Sequence, residues 1–308
     1  MLNRNQVAVV MSTYNGEKYI REQINSILTQ EDVDIHLFIR DDGSKDSTLS
    51  IIKEFDMKYA NIHLMLDGQN LGPAVSFMHL LYQINGYDYY AFADQDDIWK
   101  KRKMITGIQR IQSKDEPALY CSNQILYIDG KETGYRFESA PPTDYLSTLF
   151  ANKISGCTML FNDKLFRILV NEQKRVSDEI LRLRMHDTWV MLVADLMGTI
   201  VYDNESYIDY RIHSNNTVGV KTKSTFEIIK TTLKHLNNKK ALAWRRCTAN
   251  EIINKLSIKD ERKRKTIEKL SNVYTLHNKI ELFKDKGILE KSGLSKYVYF
   301  TYILLGWL

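Results

Sequence analysis

Apolar residues come in short runs through the first hundred positions, with longer stretches of helical periodicity between them. Residues 7–11, 35–39, 62–66 and 89–93 are such runs, rich in Val, Ile, Leu, Phe and Tyr. Their length and composition predict strands. Between them, residues 17–28 and 74–84 place apolar positions three and four apart, and a further helix is expected from about Asp46. Strands alternating with helices predict a parallel sheet covered by helices. Each run is followed by a polar cluster. In open α/β sheets ligands sit beyond the carboxyl ends of the strands, so these clusters should converge there.

From about residue 119 the pattern is mixed, with strands expected at 119–128 and 158–161 and a helix at 186–196. This part is expected to carry the acceptor side of any site. After Val220, Lys, Glu, Leu and Ile dominate, which predicts two to four helices. A chain of 308 residues, 44% of them hydrophobic, is long enough for a large domain with an appendage. The expected division is 1–220 and 221–308.

Charge sharpens that division. Residues 1–220 hold 23 basic and 30 acidic side chains, a net −7, whereas 221–308 hold 20 and 8, a net +12. A basic segment ending in an aromatic and aliphatic stretch, residues 297–308, suits the anionic face of a membrane. A solvated surface around a small helical bundle, or a dimer contact, would have the same composition. Nucleic acid is not the expected partner. No stretch reaches the roughly 18 to 20 apolar residues that span a bilayer, so a spanning helix is not expected. Residues 7–11 are too short for a signal-peptide core. Cys121, Cys157 and Cys247 are odd in number and lack disulfide or zinc spacing, so they read as ordinary thiols of a cytoplasmic protein.

The strongest local chemistry is Asp94-Gln95-Asp96-Asp97, directly after the run 89–93. Clustered carboxylates repel one another unless a cation offsets them. Mg²⁺ or Mn²⁺ would do so, because either is held by one or two carboxylates together with substrate phosphates. A solvated turn with a capping Asp is the plainer alternative. Asp41-Asp42-Gly43-Ser44 follows the run 35–39, and Ser12-Thr13-Tyr14-Asn15-Gly16 follows the first. Alone, each is a turn.

In this order the three loops resemble the family 2 glycosyltransferases of the GT-A fold. The family's Thr-Tyr-Asn stands at Thr13-Tyr14-Asn15, its Asp-Asp-Gly-Ser at Asp41 to Ser44, its Asn-Leu-Gly at Asn70-Leu71-Gly72, and its Asp-x-Asp at Asp94-Gln95-Asp96. The resemblance spans about residues 6–217. It implies a Rossmann-like mixed sheet flanked by helices, followed by the helical basic extension. It also implies that Thr13, Tyr14, Asn15, Asp41 or Asp42, Asn70, Asp94 and Gln95 serve the nucleotide sugar. Asp96 is the expected direct metal ligand, with Asp94 beside it and His213 completing the shell or meeting the phosphates.

Inverting transfer needs a base for the acceptor hydroxyl. His186-Asp187 stands where the family carries its Glu-Asp pair, which implies Asp187 as that base and His186 as its neighbour. An Asp at a helix start is otherwise commonly an N-cap. The stretch from Tyr210 to Asn216 is similar to the segment that closes over the diphosphate, with Arg211 offsetting its charge. Gly156, His186 and Trp189 are expected on the acceptor side. The strings from Ile39 to Ser44 and from Phe92 to Trp99 most resemble bacterial rhamnosyltransferases of surface-polysaccharide assembly, which implies dTDP-rhamnose as donor. Thymine and uracil share one hydrogen-bonding edge, so UDP-sugars stay open. The acceptor would be a lipid-linked sugar or an oligosaccharide, met at the inner face of the cell membrane.

Other classes lack their motifs. A nucleotidyltransferase needs a Gly-rich basic loop after the first strand, a dinucleotide oxidoreductase needs G-x-G-x-x-G, and a P-loop needs Gly residues ending in Lys-Ser or Lys-Thr. A non-catalytic sugar- or lipid-binding subunit is the remaining rival, and the presence of Asp96 and Asp187 speaks against it.

Overall fold

The computed structural model describes residues 4–213 and 243–308. The described chain builds one nine-stranded mixed sheet with helices on both faces. Its first half follows the alternation in the sequence: β1 (Gln6–Thr13), α1 (Ile20–Leu28), β2 (Asp34–Asp41), α2 (Thr48–Lys58), β3 (Ile62–Met65), α3 (Pro73–Leu81) and β4 (Tyr89–Ala93). The strands β3, β2, β1 and β4 lie side by side and parallel. Chain order reverses across β1, which has β2 on one side and β4 on the other. That switch point opens a crevice at the carboxyl ends of β1 and β4.

The sheet then continues antiparallel. After β5 (Ile98–Trp99) and α4 (Lys103–Ile111) come β6 (Ala118–Ile128), β7 (Lys131–Tyr135), α5 (Tyr145–Ala151), a single 3₁₀ turn at Gly156–Thr158 and β8 (Leu160–Asn162). Three helices follow, α6 (Asp163–Val170), α7 (Asp178–Leu183) and α8 (His186–Met197), before the long β9 (Thr199–Arg211). Across the sheet the order is β3-β2-β1-β4-β8-β6-β9-β5, with β7 paired to β6. β8 runs antiparallel to β4 and β6, whereas β9 runs parallel to β6.

Side-chain alternation explains why β1 and β4 carry uninterrupted apolar runs. Ala8, Val10, Tyr90 and Phe92 face one core, with α3 and α5 to α8. Val7, Val9, Met11, Ala91 and Ala93 face the other, with α1, α2 and α4. Each of these side chains is essentially fully buried, and a buried Val or Met contributes roughly 1.5–3 kcal/mol. A central strand with both faces covered has no polar face to show.

The expected helix at 17–28 starts later, at Ile20, because the backbone N–H groups of Tyr19 and Ile20 both turn back onto the Gly16 carbonyl at 3.0 Å. The helix expected at 74–84 begins one residue earlier, on Pro73, whose fixed φ suits a first helical turn. In the C-terminal part five helices stand among the described residues where two to four were expected: α9 (Trp244–Lys255), α10 (Glu261–Ser271), α11 (Leu276–Lys284), α12 (Lys286–Ser292) and α13 (Lys296–Leu305). Asp260, Thr275, Asp285 and Ser295 each cap the following helix through a side-chain oxygen. These caps divide what reads as longer helical stretches.

The C-terminal helices do not form a separate core. Ile252, Ile267, Leu270, Leu282, Ile288, Tyr299 and Ile303 join the same apolar cluster as α3, α5 and α8. Polar contacts reinforce this seam: Lys263 donates to the Asp195 carbonyl at 2.6 Å, and Lys291 to Asp144 at 2.8 Å. No described helix is long and apolar enough to cross a membrane.

Candidate active site

Three loops leave the carboxyl ends of β1, β2 and β4 and are tied to one another by side chains of the motifs that the sequence singles out. Thr13 donates to Asp41 Oδ1 at 2.9 Å, and the same carboxylate accepts from Ser44 Oγ at 2.6 Å and from the Ser44 backbone N–H at 2.8 Å. Asp42 accepts from the backbone N–H groups of Leu71 and Gly72 at 2.7 and 2.8 Å, while Asn70 donates to its carbonyl. Gln95 clamps Tyr14 from both sides, accepting from its N–H at 2.9 Å and donating to its carbonyl at 3.0 Å. A Cβ at Gly16 would sit 2.3 Å from Gln95 Oε1, so the clamp requires glycine there.

Arg40 is the hub beneath these loops, 1% exposed. Its guanidinium donates to Asp42 at 2.6 Å, to both oxygens of Asp67, to Ser76 Oγ at 2.8 Å and to the Gln69 carbonyl at 2.8 Å. The planar fork satisfies several acceptors at once, which a single ammonium does not. Sequence reading passed over it because a strand-end arginine reads as solvated. Its place inside the run 35–41, directly before two aspartates, was the available signal.

Together the loops line a cleft of about 390 Å³ through Ser12, Thr13, Tyr14, Asp42, Asn70, Asp94, Gln95 and Asp96. Ser155, Gly156, Met185, His186, Asp187 and Tyr210 complete its lining. The cleft therefore joins most of the expected donor residues to the expected base. Asn15 and Asp41 stand just behind the lining. Asn15, held at φ +48°, accepts from Lys45 N–H and donates its own N–H to Ser44, so it ties two loops together and does not face the cleft.

On the donor side, burial and the charge of Asp96 push the Asp94 carboxyl up to about 7. A bound cation would reverse that shift. Asp96 Oδ2 lies 2.8 Å from His213 Nε2, and the His213 ring stacks on Tyr19. Neighbouring ligands around an octahedral ion with bonds of roughly 2.1 Å are about 3 Å apart. The Asp96 oxygen and the His213 nitrogen have this spacing and suit Mg²⁺ or Mn²⁺, but Asp94 does not close on both: among the described residues its donor atom groups within 4.8 Å with those of Asp97 and Cys157. Arg211, expected against the diphosphate, is placed differently. It donates to the Asp96 carbonyl at 2.8 Å and to Glu22 at 2.7 Å, lies over the Tyr19 and Tyr127 rings, and does not line the cleft. Its effect is to hold the end of β9 against the Asp94–Asp97 loop, which brings His213 to Asp96. Ser214, Asn215 and Asn216 lie outside the described residues.

Beneath the Asp94–Asp96 turn is a cluster that the sequence does not announce. Asp97, Lys103 and Cys157 are sealed from solvent, and donor atoms of Asp94, Asp97 and Cys157 lie within 4.8 Å of one another. Lys103 Nζ sits 3.8 Å from the Trp99 ring centroid, and burial pushes it down to about 7. Burial likewise pushes the Cys157 thiol well up, away from the reactive thiolate. Lys103 shares the buried face of α4 with Gly107 and Ile111, a helical spacing legible in the sequence.

On the acceptor side, Asp187 occupies the first turn of α8, but the N-cap residue is Met185, so capping is not its role. Burial raises its carboxyl above the ordinary range. His186 is 3% exposed and stacks on Phe77 at 4.2 Å, with both ring nitrogens unpaired, and burial pushes it down to about 3. It is therefore a neutral wall. A Cβ at Gly156 would meet His186 Nε2 at 2.6 Å, which explains the small residue. Trp189 departs from expectation: it is 2% exposed in the core and does not line the cleft. Two residues beyond Asp187 it points about 200° away around the helix.

The model of the family described as glycosyl transferase family 2 matches residues 8–168. RfbG of Shigella flexneri, a dTDP-rhamnosyl transferase, is 34% identical over 219 residues, covering 68% of this chain and 73% of that protein. TuaG of Bacillus subtilis, a putative teichuronic acid biosynthesis glycosyltransferase, is 26% identical over 220 residues, 71% of this chain and 83% of that protein. The crystal structure of S. aureus TarS residues 1–349 superposes with a TM-score of 0.59 at 17% identity, covering 98% of this chain and 87% of that one, which shows a shared GT-A fold. The loops that close on one another at the ends of β1, β2 and β4 all fall within the matched segment, and on the family model and the similarity to RfbG the chain belongs to glycosyl transferase family 2.

Proposed function

We propose that the chain is an inverting, metal-dependent glycosyltransferase that moves a sugar from a nucleoside diphosphate to an acceptor hydroxyl during cell-surface polysaccharide biosynthesis. The observation that carries this reading is a single cleft lined by Asp94, Asp96 and Asp187, with His213 hydrogen-bonded to Asp96. Tyr14, Asp42, Asn70 and Asp94, which line the cleft, hold the nucleotide sugar in this reading. Asp96 and His213, with Asp94 near them, would hold a divalent cation, which would supply positive charge to the departing diphosphate. Asp187 accepts the proton of the acceptor hydroxyl as its oxygen bonds to the anomeric carbon and the bond to the diphosphate breaks. The neutral His186, Phe77 and Met185 keep the surrounding wall apolar around that carboxylate.

The donor is proposed to be dTDP-rhamnose, which the similarity to RfbG supports. Calorimetric titration with dTDP-rhamnose, UDP-glucose and UDP-N-acetylglucosamine, each with Mn²⁺ and with chelator, tests both sugar and metal. dTDP-rhamnose is expected to bind tightest and only with the cation. Asp96→Ala is expected to lower that affinity at least about tenfold. Metal-independent binding, or an unchanged affinity in the variant, would overturn the metal assignment.

The acceptor is proposed to be lipid-linked or oligosaccharide and to be met at the inner membrane face, by peripheral contact through the C-terminal helices. Leu276 and Ile280 on α11 and Tyr297, Leu304 and Leu305 on α13 are exposed. Lys279 donates to the Leu304 carbonyl at 2.8 Å, which brings the two helices together. Deleting 297–308 is a poor test, because Tyr299, Ile303 and Leu308 are fully buried. Leu304→Ser with Leu305→Ser is expected to weaken binding to phosphatidylglycerol vesicles roughly tenfold or more without lowering the melting temperature. Equal vesicle binding would leave these helices a packing role only.

A further inference from the structure

Where the C-terminal helices meet the acceptor side of the cleft, positive charge is packed on aromatic rings without an ion pair among the described residues. Arg184, which follows α7, holds its guanidinium carbon 3.8 Å from the Trp244 ring centroid. Arg245 lies 4.5 Å from the same ring, 5.2 Å from that of Phe150 and 5.5 Å from that of Tyr302. The Nε atoms of both arginines are buried and unbonded, and among the described residues neither side chain forms an ion pair. Arg40, paired with Asp42 and Asp67, and Arg211, paired with Glu22, differ, whereas the neighbouring Arg246, over the Tyr274 ring, also keeps a buried unbonded Nε.

Aromatic faces offset part of the cost of holding a guanidinium out of water, but they do not offset two like charges drawn to one indole. Burial and the neighbouring Arg184 charge accordingly pull Arg245 down to about 10. Asp187 acts on Arg184 in the opposite sense. Arg184 therefore borders the cleft, since Met185, His186 and Asp187 follow it along the chain and line it, and Arg245 joins it through the shared Trp244 ring. Two arginines with their forks unfilled, next to the base, call for a tetrahedral oxyanion. Guanidinium binds phosphate with parallel charge-assisted hydrogen bonds.

We propose that Arg184 and Arg245 form an acceptor-side site for a phosphate group, the monoester, diester or diphosphate that the acceptor carries next to the sugar being extended. The word acceptor rests on the transferase reading above. Phosphate binding does not, and is measured without turnover. Two sources share this chemistry: the diphosphate of a lipid carrier, whose tail the apolar residues of α13 would accompany, and a phosphate within a soluble chain.

The test is calorimetry on the full chain with dTDP, UDP and excess Mg²⁺ present at saturation, so that the nucleotide site is filled. Farnesyl diphosphate and glycerol 3-phosphate are the probes. The wild type is expected to bind at one further site, and Arg184→Gln and Arg245→Gln each to weaken that binding at least tenfold with nucleotide affinity unchanged. Arg184→Lys and Arg245→Lys, which keep the charge and the packing but lose the fork, are expected to fall between and decide the matter if the Gln variants melt early. A clear preference for farnesyl diphosphate assigns the lipid carrier as source, and equal binding assigns the soluble chain. No binding by the wild type, or unchanged binding in all four variants, would overturn the site. Absence of sugar transfer alongside intact phosphate binding would count against the transferase reading alone.

Discussion

Replacing Asp187 with asparagine is expected to lower kcat by about 10²- to 10⁴-fold, the usual contribution of a positioned general base, while donor affinity stays within about twofold. Asparagine keeps the shape of the side chain but accepts no proton. The same substitution should not destabilise the protein. Burial raises the Asp187 carboxyl, so the folded chain holds that proton more tightly than the unfolded chain does. Stability from this group is therefore present at low pH and is lost as pH rises through the raised value, leaving a buried charge that costs free energy at neutral pH. Asparagine removes that charge, and the melting temperature at pH 7 is expected to hold or rise. The wild-type rate should also fall on acidification at a higher pH than an ordinary aspartate, about 3.9, would give. Single-turnover rates and thermal melts on one preparation check all three. A variant with wild-type turnover would remove Asp187 from the role of base, and one that melts early would overturn the buried-charge argument.

Arg40→Met is expected to cost about 3–5 kcal/mol of folding stability, the range for removing one partner from a buried ion pair. Asp42, 3% exposed, would lose its cation, and Asp67 both of its bonds to the guanidinium. Arg40→Lys should recover only part of the loss, because one ammonium does not reach Asp42, Asp67, Ser76 and the Gln69 carbonyl together. Donor affinity should fall in parallel, since Asp42 orders the Leu71 and Gly72 N–H groups on the cleft wall. Urea titration of the three proteins measures the stabilities. A loss under about 1 kcal/mol in Arg40→Met would mean that the loops hold themselves in place without it.

The first four strands and their helices were legible because a parallel strand covered on both faces has nowhere to place polar residues. β9 was not. It carries Asp203, Asn204, Glu205 and Ser206 in its middle, with register shifts against β6, so it shows neither an apolar run nor clean alternation. β5 and β7 were missed for related reasons, one being two residues long and the other exposed throughout. In the C-terminal part, capping residues split the helical pattern more finely than composition shows.

At the site, the residues whose chemistry requires polarity were visible in the sequence: Thr13, Asp42, Asp94, Asp96 and Asp187 stand at strand or helix ends, where short polar clusters interrupt apolar patterns. Trp189 was misplaced because a stretch of sequence does not itself show which side of a helix faces the cleft. The charged groups that matter from the interior, Arg40, Lys103, Arg184 and Arg245, were unreadable, because a basic side chain in a polar context has the same appearance whether it is solvated or buried. Local pattern and motif order thus determined the class of sheet, the family and the carboxylates that line the cleft. Which charges are taken out of water, and what they lean on, was decided by tertiary packing, since desolvation depends on neighbours from distant parts of the chain.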